Sequence, residues 1–359
     1  MLSANTLYDP FGVEVSQSVY LSEGLGIDLT INGARYLQAG YVETDYENLD
    51  PNAHRGATGV ITQSSKVSGF GATTIRSVTF GNGLFVAVGD SGKISTSPDG
   101  DTWTLRSSGV TSHLRGVTFG NGIFVAVGLS SAILTSVNGI DWDIQTPISG
   151  FTVIFSAVYG KGVFVIAGGN NGSVSVSTDG IIWSDAFTAF SNDVIFDLSY
   201  GNGVFIASGQ DGSLATSING TDWVQRSTSF GSADINTSVF GNGQFVVGGN
   251  SNNLETSIDG ETWTPQTYTL GTIWSLSYGN GIFLAIGDLQ TIAISFDGVT
   301  WSDYTTGFSS LTVRASAFGN GLFIIAGDDG HLSTYRVLTV AGSSTPSTKG
   351  ACKRYVRIT

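Results

Sequence analysis

Short apolar runs, separated by glycine-containing turns, occupy the middle of the chain and predict β-strands. Asn82-Gly83 favours a tight turn because both residues tolerate positive φ. The run after this turn is apolar at every position, so the strand needs cover on both faces, whereas the next strand alternates. No helical period is visible. The unit reads as four antiparallel strands, over residues 75–80, 84–88, 93–97 and 102–107.

The unit repeats along the chain. An aromatic residue followed by Gly-x-Gly occurs seven times, with the first glycine at 81, 120, 160, 201, 241, 279 and 319. Tryptophan recurs in step with this motif. A repeat period of about 40 residues is typical of a propeller or a solenoid. Four antiparallel strands per unit favour an all-β propeller with seven blades.

The seventh unit lacks its fourth strand after Tyr335. Ile61-Thr62-Gln63-Ser64-Ser65, just before the first unit, resembles the fourth strand that begins at Trp103. We therefore expect residues 58–66 to complete blade seven, because an open ring would leave unpaired strand edges.

The third turn of each unit carries a motif found in a known family. Ser97-Pro98-Asp99-Gly100-Asp101-Thr102-Trp103 resembles the Asp-box of BNR-repeat propellers, in a variant one residue shorter. The resemblance implies the fold, and it leaves the function open, because such propellers include sialidases, assembly factors and lectin-like binders. The motif occurs in six units, as the pairs Asp99 and Trp103, Asn138 and Trp142, Asp179 and Trp183, Asn219 and Trp223, Asp259 and Trp263, and Asp297 and Trp301.

We interpret these pairs as structural. The Asp or Asn side chain is expected to bind the backbone of its own turn, and the tryptophan to pack between blades.

Candidate ligand contacts come from the start of the first strand of each unit, which should face the central channel. In each unit this position lies four residues before the aromatic residue. Arginines then fall on consecutive blades 7, 1 and 2, opposite an aromatic arc, an arrangement that suits an acidic sugar. The alternative is that these residues fill the channel mouth or pair with nearby Asp. The candidates are Arg76, Arg115, Arg314, Phe155, Phe196, Asn236 and Trp274.

Composition argues against other functions. The net charge of −13 does not suit nucleic-acid binding, no apolar run could span a membrane, and Met1 to Pro10 does not read as a signal peptide. One cysteine and three histidines leave little for a metal site, and no metal or cofactor is expected. Sialidase-like chemistry needs paired carboxylates, and Glu255 and Glu261 fall away from the predicted channel mouth. A pair among Asp193, Asp197 and the turn aspartates stays open, but no enzyme activity is expected.

Two segments lie outside the predicted ring. Residues 1–57 read as a small β module for anchoring or docking, and 34–53 resemble a segment that often precedes propeller repeats in tail proteins of tailed phages. Residues 338–359 read as a linker and a strand-like tail. The strand at 353–359 would add to the N-terminal module, near Glu43, Asp45 and Glu47, or to another subunit.

The sequence thus predicts a phage virion protein, assembled in the host cytoplasm, with residues 58–337 as the propeller. In this hypothesis a tail-fibre or tail-associated propeller binds a host surface glycan or receptor. The terminal segments would contact other virion proteins, and an oligomer is expected. Alternatives are a structural decoration or adaptor protein of the virion, an assembly factor for membrane-protein biogenesis, and a glycosidase.

Overall fold

The computed structural model describes residues 60–169, 172–186, 190, 193–267, 271–288, 291–305 and 312–338, with short strands at 7–8, 14–15, 28–31, 34–38 and 355–358. The chain divides into two compact units. One comprises Met1–Val60 with Leu338–Thr359, and the other is Ile61–Val337.

The larger unit is a seven-bladed β-propeller whose blades are four-stranded antiparallel sheets. The first strand of each blade contacts the first strand of the next, and blade 7 contacts blade 1. The first strands are Ile75–Gly81, Leu114–Gly120, Ile154–Gly160, Ile195–Gly201, Ile235–Gly241, Ile273–Gly279 and Val313–Gly319. The second strands are Leu84–Gly89, Ile123–Gly128, Val163–Gly168, Val204–Gly209, Gln244–Gly249, Ile282–Gly287 and Leu322–Gly327.

The outer half of each blade consists of a third and a fourth strand. The third strands are Ile94–Ser97, Ile133–Ser136, Ser173–Ser177, Leu214–Ser217, Leu254–Ser257, Thr291–Ser295 and His331–Leu338. The fourth strands of blades 1 to 6 are Thr104–Arg106, Asp143–Ile144, Ser184–Ala186, Val224–Arg226, Thr264–Gln266 and Trp301–Thr305. Short 3-10 turns lie between the second and third strands at Asp90–Gly92, Gln210–Gly212 and Asp328–Gly330.

The fourth strand of blade 7 comes from before blade 1. Val60–Val67 pairs with His331–Leu338, so the predicted closure is confirmed. The strand covers 60–67, whereas 58–66 was expected. In blade 1 the predicted alternation of the third strand is wrong. Every residue of Ile94–Ser97 is buried, because neighbouring blades cover both faces of the sheet. The fourth strand of that blade is also shorter than predicted.

A ring of glycine–aromatic contacts joins all seven blades. Each glycine that ends a first strand lies against the aromatic ring of the next blade, and a Cβ there would come within 1.9–2.3 Å of that ring. Each aromatic residue also packs on a phenylalanine of its own second strand, with centroids 4.6–4.8 Å apart. The contacts close the circle: Gly81 with Phe119, Gly120 with Tyr159, Gly160 with Tyr200, Gly201 with Phe240, Gly241 with Tyr278, Gly279 with Phe318 and Gly319 with Phe80.

Outside the propeller, Asp28–Ile31, Ala34–Gln38 and Tyr355–Ile358 form a three-stranded antiparallel sheet. The C-terminal strand thus adds to the N-terminal sheet of its own chain, which was one of the two predicted arrangements. Leu7–Tyr8 pairs with Glu14–Val15. The predicted acidic complement at Glu43, Asp45 and Glu47, and residues 341–348 of the linker, lie outside the described residues.

Candidate functional site

The seven candidate contacts surround one cavity of about 320 Å³ at the centre of the ring. Each of them is the extra residue of a β-bulge, because the strand pairing shifts register across it. In blade 1, for example, Ile75 pairs with Gly89 and Ser77 with Val88, which leaves Arg76 unpaired. A bulge re-aims a side chain out of the regular alternation of a strand. We call the ring formed by Arg76, Arg115, Phe155, Phe196, Asn236, Trp274 and Arg314 the mouth ring.

Two of the three arginines of the mouth ring are paired with carboxylates of their own blade. Arg76 Nε and Nη2 donate to the two carboxylate oxygens of Asp90 at 2.9 and 3.0 Å. Arg314 Nε donates to Asp328 Oδ1 at 3.0 Å. Burial opposes ionisation of Asp90 and Asp328, but the hydrogen bond and charge of each arginine outweigh burial and lower the pKa of each carboxyl. The alternative in which these residues pair with nearby Asp therefore holds for these two.

Arg115 differs from them. It is half-buried, and among the described residues it has no ion pair. Its Nε is enclosed without a hydrogen-bond partner. The guanidinium lies over the Phe155 ring, 5.8 Å from its centroid. Burial lowers the pKa of Arg115, the charges of Arg76 and Arg314 add to this effect, and the charge of Asp90 opposes it. Within the described residues Arg115 is thus a half-buried cation that forms no ion pair, because the nearby carboxylate of Asp90 is engaged by Arg76.

The sequence explains why Arg115 lacks an ion pair. The partners of four other mouth-ring residues lie at a fixed offset of 14 residues. Asp90 and Asp328 lie 14 residues after their arginines, in the loop that follows the second strand. At the same offset Trp274 donates to Asp288 at 2.7 Å, and Asn236 donates to Asn250 at 3.0 Å. The residue 14 positions after Arg115 is Leu129. This offset of 14 residues is visible in the sequence alone, and it distinguishes Arg115 from the other two arginines.

The aromatic arc is in direct contact with the arginines. Phe155 and Phe196 pack edge to face, with centroids 5.9 Å apart. Arg314 lies over the Trp274 ring at 5.6 Å. Asn236 Nδ2 also donates to the backbone oxygen of Ile273 at 3.0 Å, which ties blade 5 to blade 6. The mouth ring is therefore a mixed ring of cations and aromatic faces.

One residue below the mouth ring, Asp197 also lines the cavity. Its Oδ2 accepts from Ser238 N at 2.7 Å and Ser238 Oγ at 3.2 Å, and its Oδ1 accepts from Ser156 Oγ at 3.1 Å. The carboxylate is surrounded by protein, and part of the residue's surface stays open to the channel. Burial raises the pKa of Asp197 to about 6, although these hydrogen bonds oppose the rise. Among the described residues Asp197 has no cationic partner.

Asp197 is the acid in a register of small residues. The same position in blades 1, 3, 5 and 6 holds a hydroxyl residue that accepts a hydrogen bond from a backbone N–H of the next blade. Asp197 accepts the equivalent bond from Ser238 N. Sequence reasoning considered this aspartate only as half of an acid pair. The full register is Ser77, Gly116, Ser156, Asp197, Thr237, Ser275 and Ala315.

The six Asp-box residues use their polar groups within their own turns. In each turn one Asp or Asn oxygen accepts two backbone N–H bonds at 2.7–3.0 Å and a Ser hydroxyl bond at 2.9–3.1 Å. Each tryptophan Nε1 donates to the backbone oxygen of the turn glycine at 2.9–3.1 Å. Backbone N–H bonds lower the pKa of Asp99, Asp179 and Asp259. None of the six pairs lines the cavity.

The other acids considered for catalysis have partners elsewhere. Glu255 is 1% exposed and accepts from Ser229, while Glu261 pairs with Arg226 at 3.0 Å. Asp193 accepts from Ser213 Oγ at 2.6 Å. Within the described part of the chain, no three His, Cys, Asp or Glu residues are grouped as a metal site would need, and no helix is long and apolar enough to cross a membrane.

Comparison with known proteins gives the fold and no family. No protein-family model matches the chain, and no curated protein matches it in sequence. Among solved structures, YCF48 bound to D1 peptide has a TM-score of 0.62 at 17% identity, covering 77% of this chain and 94% of that one. An inactive virginiamycin B lyase from Staphylococcus aureus with quinupristin has a TM-score of 0.70 at 10% identity, covering 78% and 100%. The WD40 propeller domain of Doa1 has a TM-score of 0.60 at 14% identity, covering 79% and 99%.

Proposed function

We propose that this chain is a binding propeller whose mouth ring holds an anionic ligand. The observation that carries the proposal is Arg115, whose blade omits the counter-ion that blades 1 and 7 supply to Arg76 and Arg314. A half-buried cation without an ion pair is costly, and an anionic ligand would offset that cost. Two solved propellers of similar shape are described with bound ligands, a peptide and quinupristin, which is consistent with a ligand site on such a ring.

The ligand class that fits best is an acidic sugar on a surface glycan. A guanidinium binds a carboxylate through two parallel N–H bonds, and the aromatic faces of Phe155, Phe196 and Trp274 suit a sugar ring. We propose that the chain serves as a host-attachment component of a phage virion, tail-fibre or tail-associated. The resemblance of residues 34–53 to phage tail proteins supports this setting.

We further propose that the site binds without turnover. Glycoside hydrolysis commonly uses two carboxylates about 5–10 Å apart across the scissile bond. Asp197 is the acid that lines the described cavity, and the nearby Asp90 and Asp328 are engaged by arginines. A test for released reducing sugar on any glycan that binds would contradict this part of the proposal if product accumulates and Asp197→Asn stops it.

The decisive experiment restores the missing partner. Leu129→Asp places a carboxylate where blades 1 and 7 have one, and it leaves Arg115 intact. Purified full-length chain would be tested against a panel of bacterial surface polysaccharides and cells, beside the neutral control Leu129→Asn, which reproduces the residue that blade 5 has at this register. We expect Leu129→Asp and Arg115→Gln to weaken binding by about tenfold or more.

The control variants sharpen the outcome. Leu129→Asn and Arg106→Gln, an arginine of the outer strand that binds Thr96, should bind like the natural chain. Saturable binding that Leu129→Asp leaves unchanged would remove the ligand from the mouth ring. No binding to any acidic glycan or cell would overturn the proposal.

A second role, as a decoration or adaptor protein, is favoured by a different feature. The turns between third and fourth strands expose aliphatic side chains in several blades, including Val137 at 69%, Ile218 at 65% and Ile258 at 73%. Exposed apolar residues that recur on one edge of a structure suit contact with another protein. Cosedimentation with virions through these residues, without cell binding, would favour this role.

A further inference from the structure

The cavity contains two opposite charges that the described protein does not pair. Arg115 on blade 2 has no carboxylate partner, and Asp197 on blade 4 has no cationic partner. Both line the same space of about 320 Å³. Elsewhere around the mouth ring the chain does supply partners, as it does for Arg76, Arg314 and Trp274.

Phe155 and Phe196 separate the two charges. The Arg115 guanidinium lies on the Phe155 ring, and Phe155 packs edge to face on Phe196, the residue directly before Asp197. Within the part of the chain that the structure describes, no ion pair bridges this apolar divider. The cavity therefore has a cationic pole and an anionic pole with aromatic surface between them.

Asp197, the anionic pole, hydrogen-bonds to neighbouring blades and can also contact a ligand. The groups that donate to Asp197 are neutral hydroxyl and backbone N–H groups of Ser156, Ser238 and Leu198, so none of them supplies a positive charge. The residue keeps surface open to the channel. A protonated amine in the channel would supply the missing counter-charge.

We propose that the mouth ring and Asp197 together form a two-pole site for a zwitterionic ligand, a sugar unit that carries both a carboxylate and a protonated amine. The carboxylate binds Arg115 and the amine binds Asp197, with the sugar ring against Phe155 and Phe196. This inference rests on the proposed function and narrows its ligand class. A singly charged ligand leaves one of the two charges without an ion pair, whereas a zwitterion pairs both.

The test uses four related hexoses that carry different combinations of charge. Muramic acid has both a carboxylate and an amine, N-acetylmuramic acid has the carboxylate alone, glucosamine has the amine alone, and glucose has neither. Titration calorimetry near neutral pH and at low salt would compare them on the full-length chain. We expect muramic acid to bind about tenfold or more tightly than either singly charged sugar, because each pole contributes a charge-assisted hydrogen bond.

Variants assign each pole. Arg115→Gln should reduce muramic acid to the affinity of glucosamine, and Asp197→Asn should reduce it to that of N-acetylmuramic acid. Asp197→Asn keeps a side-chain oxygen that can accept from Ser238 N, and a melting curve checks that the variant is folded. Should it not fold, the four sugars on the unmodified chain still decide the matter. Arg106→Gln should change none of the four affinities.

The outcomes separate this inference from the proposed function. If N-acetylmuramic acid binds as well as muramic acid, and Arg115→Gln weakens both equally, the anion site stands and the two-pole site is wrong. If glucosamine and glucose bind equally, Asp197 is not a pole. If muramic acid does not bind while an acidic polysaccharide does, the two-pole site is overturned and the proposed function survives. If neither binds, both are overturned.

Discussion

The two ends of each first strand follow opposite rules. At its far end every blade has the same pair, a glycine against the aromatic ring of the next blade. At its near end, at the bulge, the seven blades have Arg, Arg, Phe, Phe, Asn, Trp and Arg. The far end must make the same contact seven times for the ring to close, so the sequence there repeats. The near end lines a cavity, so each blade can differ without breaking the ring.

This contrast locates the candidate site without reference to any other protein. Some departures from the repeat reduce the stability of the fold, such as Arg115 without an ion pair and the acidic Asp197 in a register of small residues. Stability cannot explain why the chain has these residues. Repetition at the glycines points to stability, and variation at the bulges points to a ligand.

The largest expected effect is at the repeated end. Gly120→Ala would place a methyl group 2.0 Å from the Tyr159 ring, between two closely packed blades. Gly122→Ala, two residues later, has no atom within 4 Å of the added Cβ and carries only the strain of its positive φ of 79°. We expect Gly120→Ala to destabilise the chain by about 3 kcal/mol or more and Gly122→Ala by about 1 kcal/mol. Denaturant unfolding of both variants measures the difference. Equal losses would show that the glycine–aromatic ring is not a special contact.

The next effect lies inside the channel and depends on pH. Asp197 has a pKa raised to about 6 against the usual 3.8, so the folded chain binds its proton more tightly than the unfolded chain does. The stabilisation is therefore complete below pH 3.8 and is lost as the pH rises through about 6. Two pKa units correspond to about 3 kcal/mol.

The measurement is the difference in unfolding free energy between the natural chain and Asp197→Asn, from about pH 4 to pH 7. The natural chain should lose stability relative to the variant as the pH rises across this interval. Subtraction removes the contribution of the paired aspartates such as Asp90, whose lowered pKa acts in the opposite direction at lower pH. A difference that does not vary with pH would mean that Asp197 titrates normally.

The Asp-box turns provide a third, smaller effect. Blades 2 and 4 already hold Asn138 and Asn219 where blades 1 and 3 hold Asp, and both types accept the same two backbone N–H bonds. Asp179→Asn should therefore be nearly neutral, while Asp179→Ala should cost about 1 kcal/mol through the lost turn bonds. Melting temperatures of the two variants test this. An equal loss in both would indicate that charge, rather than hydrogen bonding, stabilises the turn.

The repeated features of the blades could be predicted from the sequence, whereas the features that differ between blades could be predicted only in part. The seven blades and their closure by Val60–Val67 were predictable because every blade imposes the same strand and turn pattern. The mouth ring was predictable from one register, because blades of equal length bring equivalent positions together. The bulges could not be predicted, since they depend on which residues pair across two strands. The role of Asp197 could not be predicted either, because it depends on how far the described cations of other blades lie from its carboxylate.

The smallest expected effect is a difference in sign between two arginines of the mouth ring. Arg76→Gln leaves Asp90 without its bidentate partner, so it should destabilise the chain by about 1 kcal/mol, a value that allows for the partial exposure of the pair. Arg115→Gln removes a half-buried charge that forms no ion pair with any described residue, so it should leave stability unchanged or raise it by up to about 1 kcal/mol. Leu129→Asp should stabilise the chain to a similar extent, because it supplies the counter-ion instead of removing the cation. Calorimetric melting of the three variants near neutral pH measures these shifts.

If Arg115→Gln destabilises as much as Arg76→Gln, Arg115 is part of the scaffold, and the unpaired cation would no longer indicate a ligand. If only Arg76→Gln destabilises, the chain keeps Arg115 at a cost to its own stability, and an anionic ligand is the simplest physical reason for keeping it.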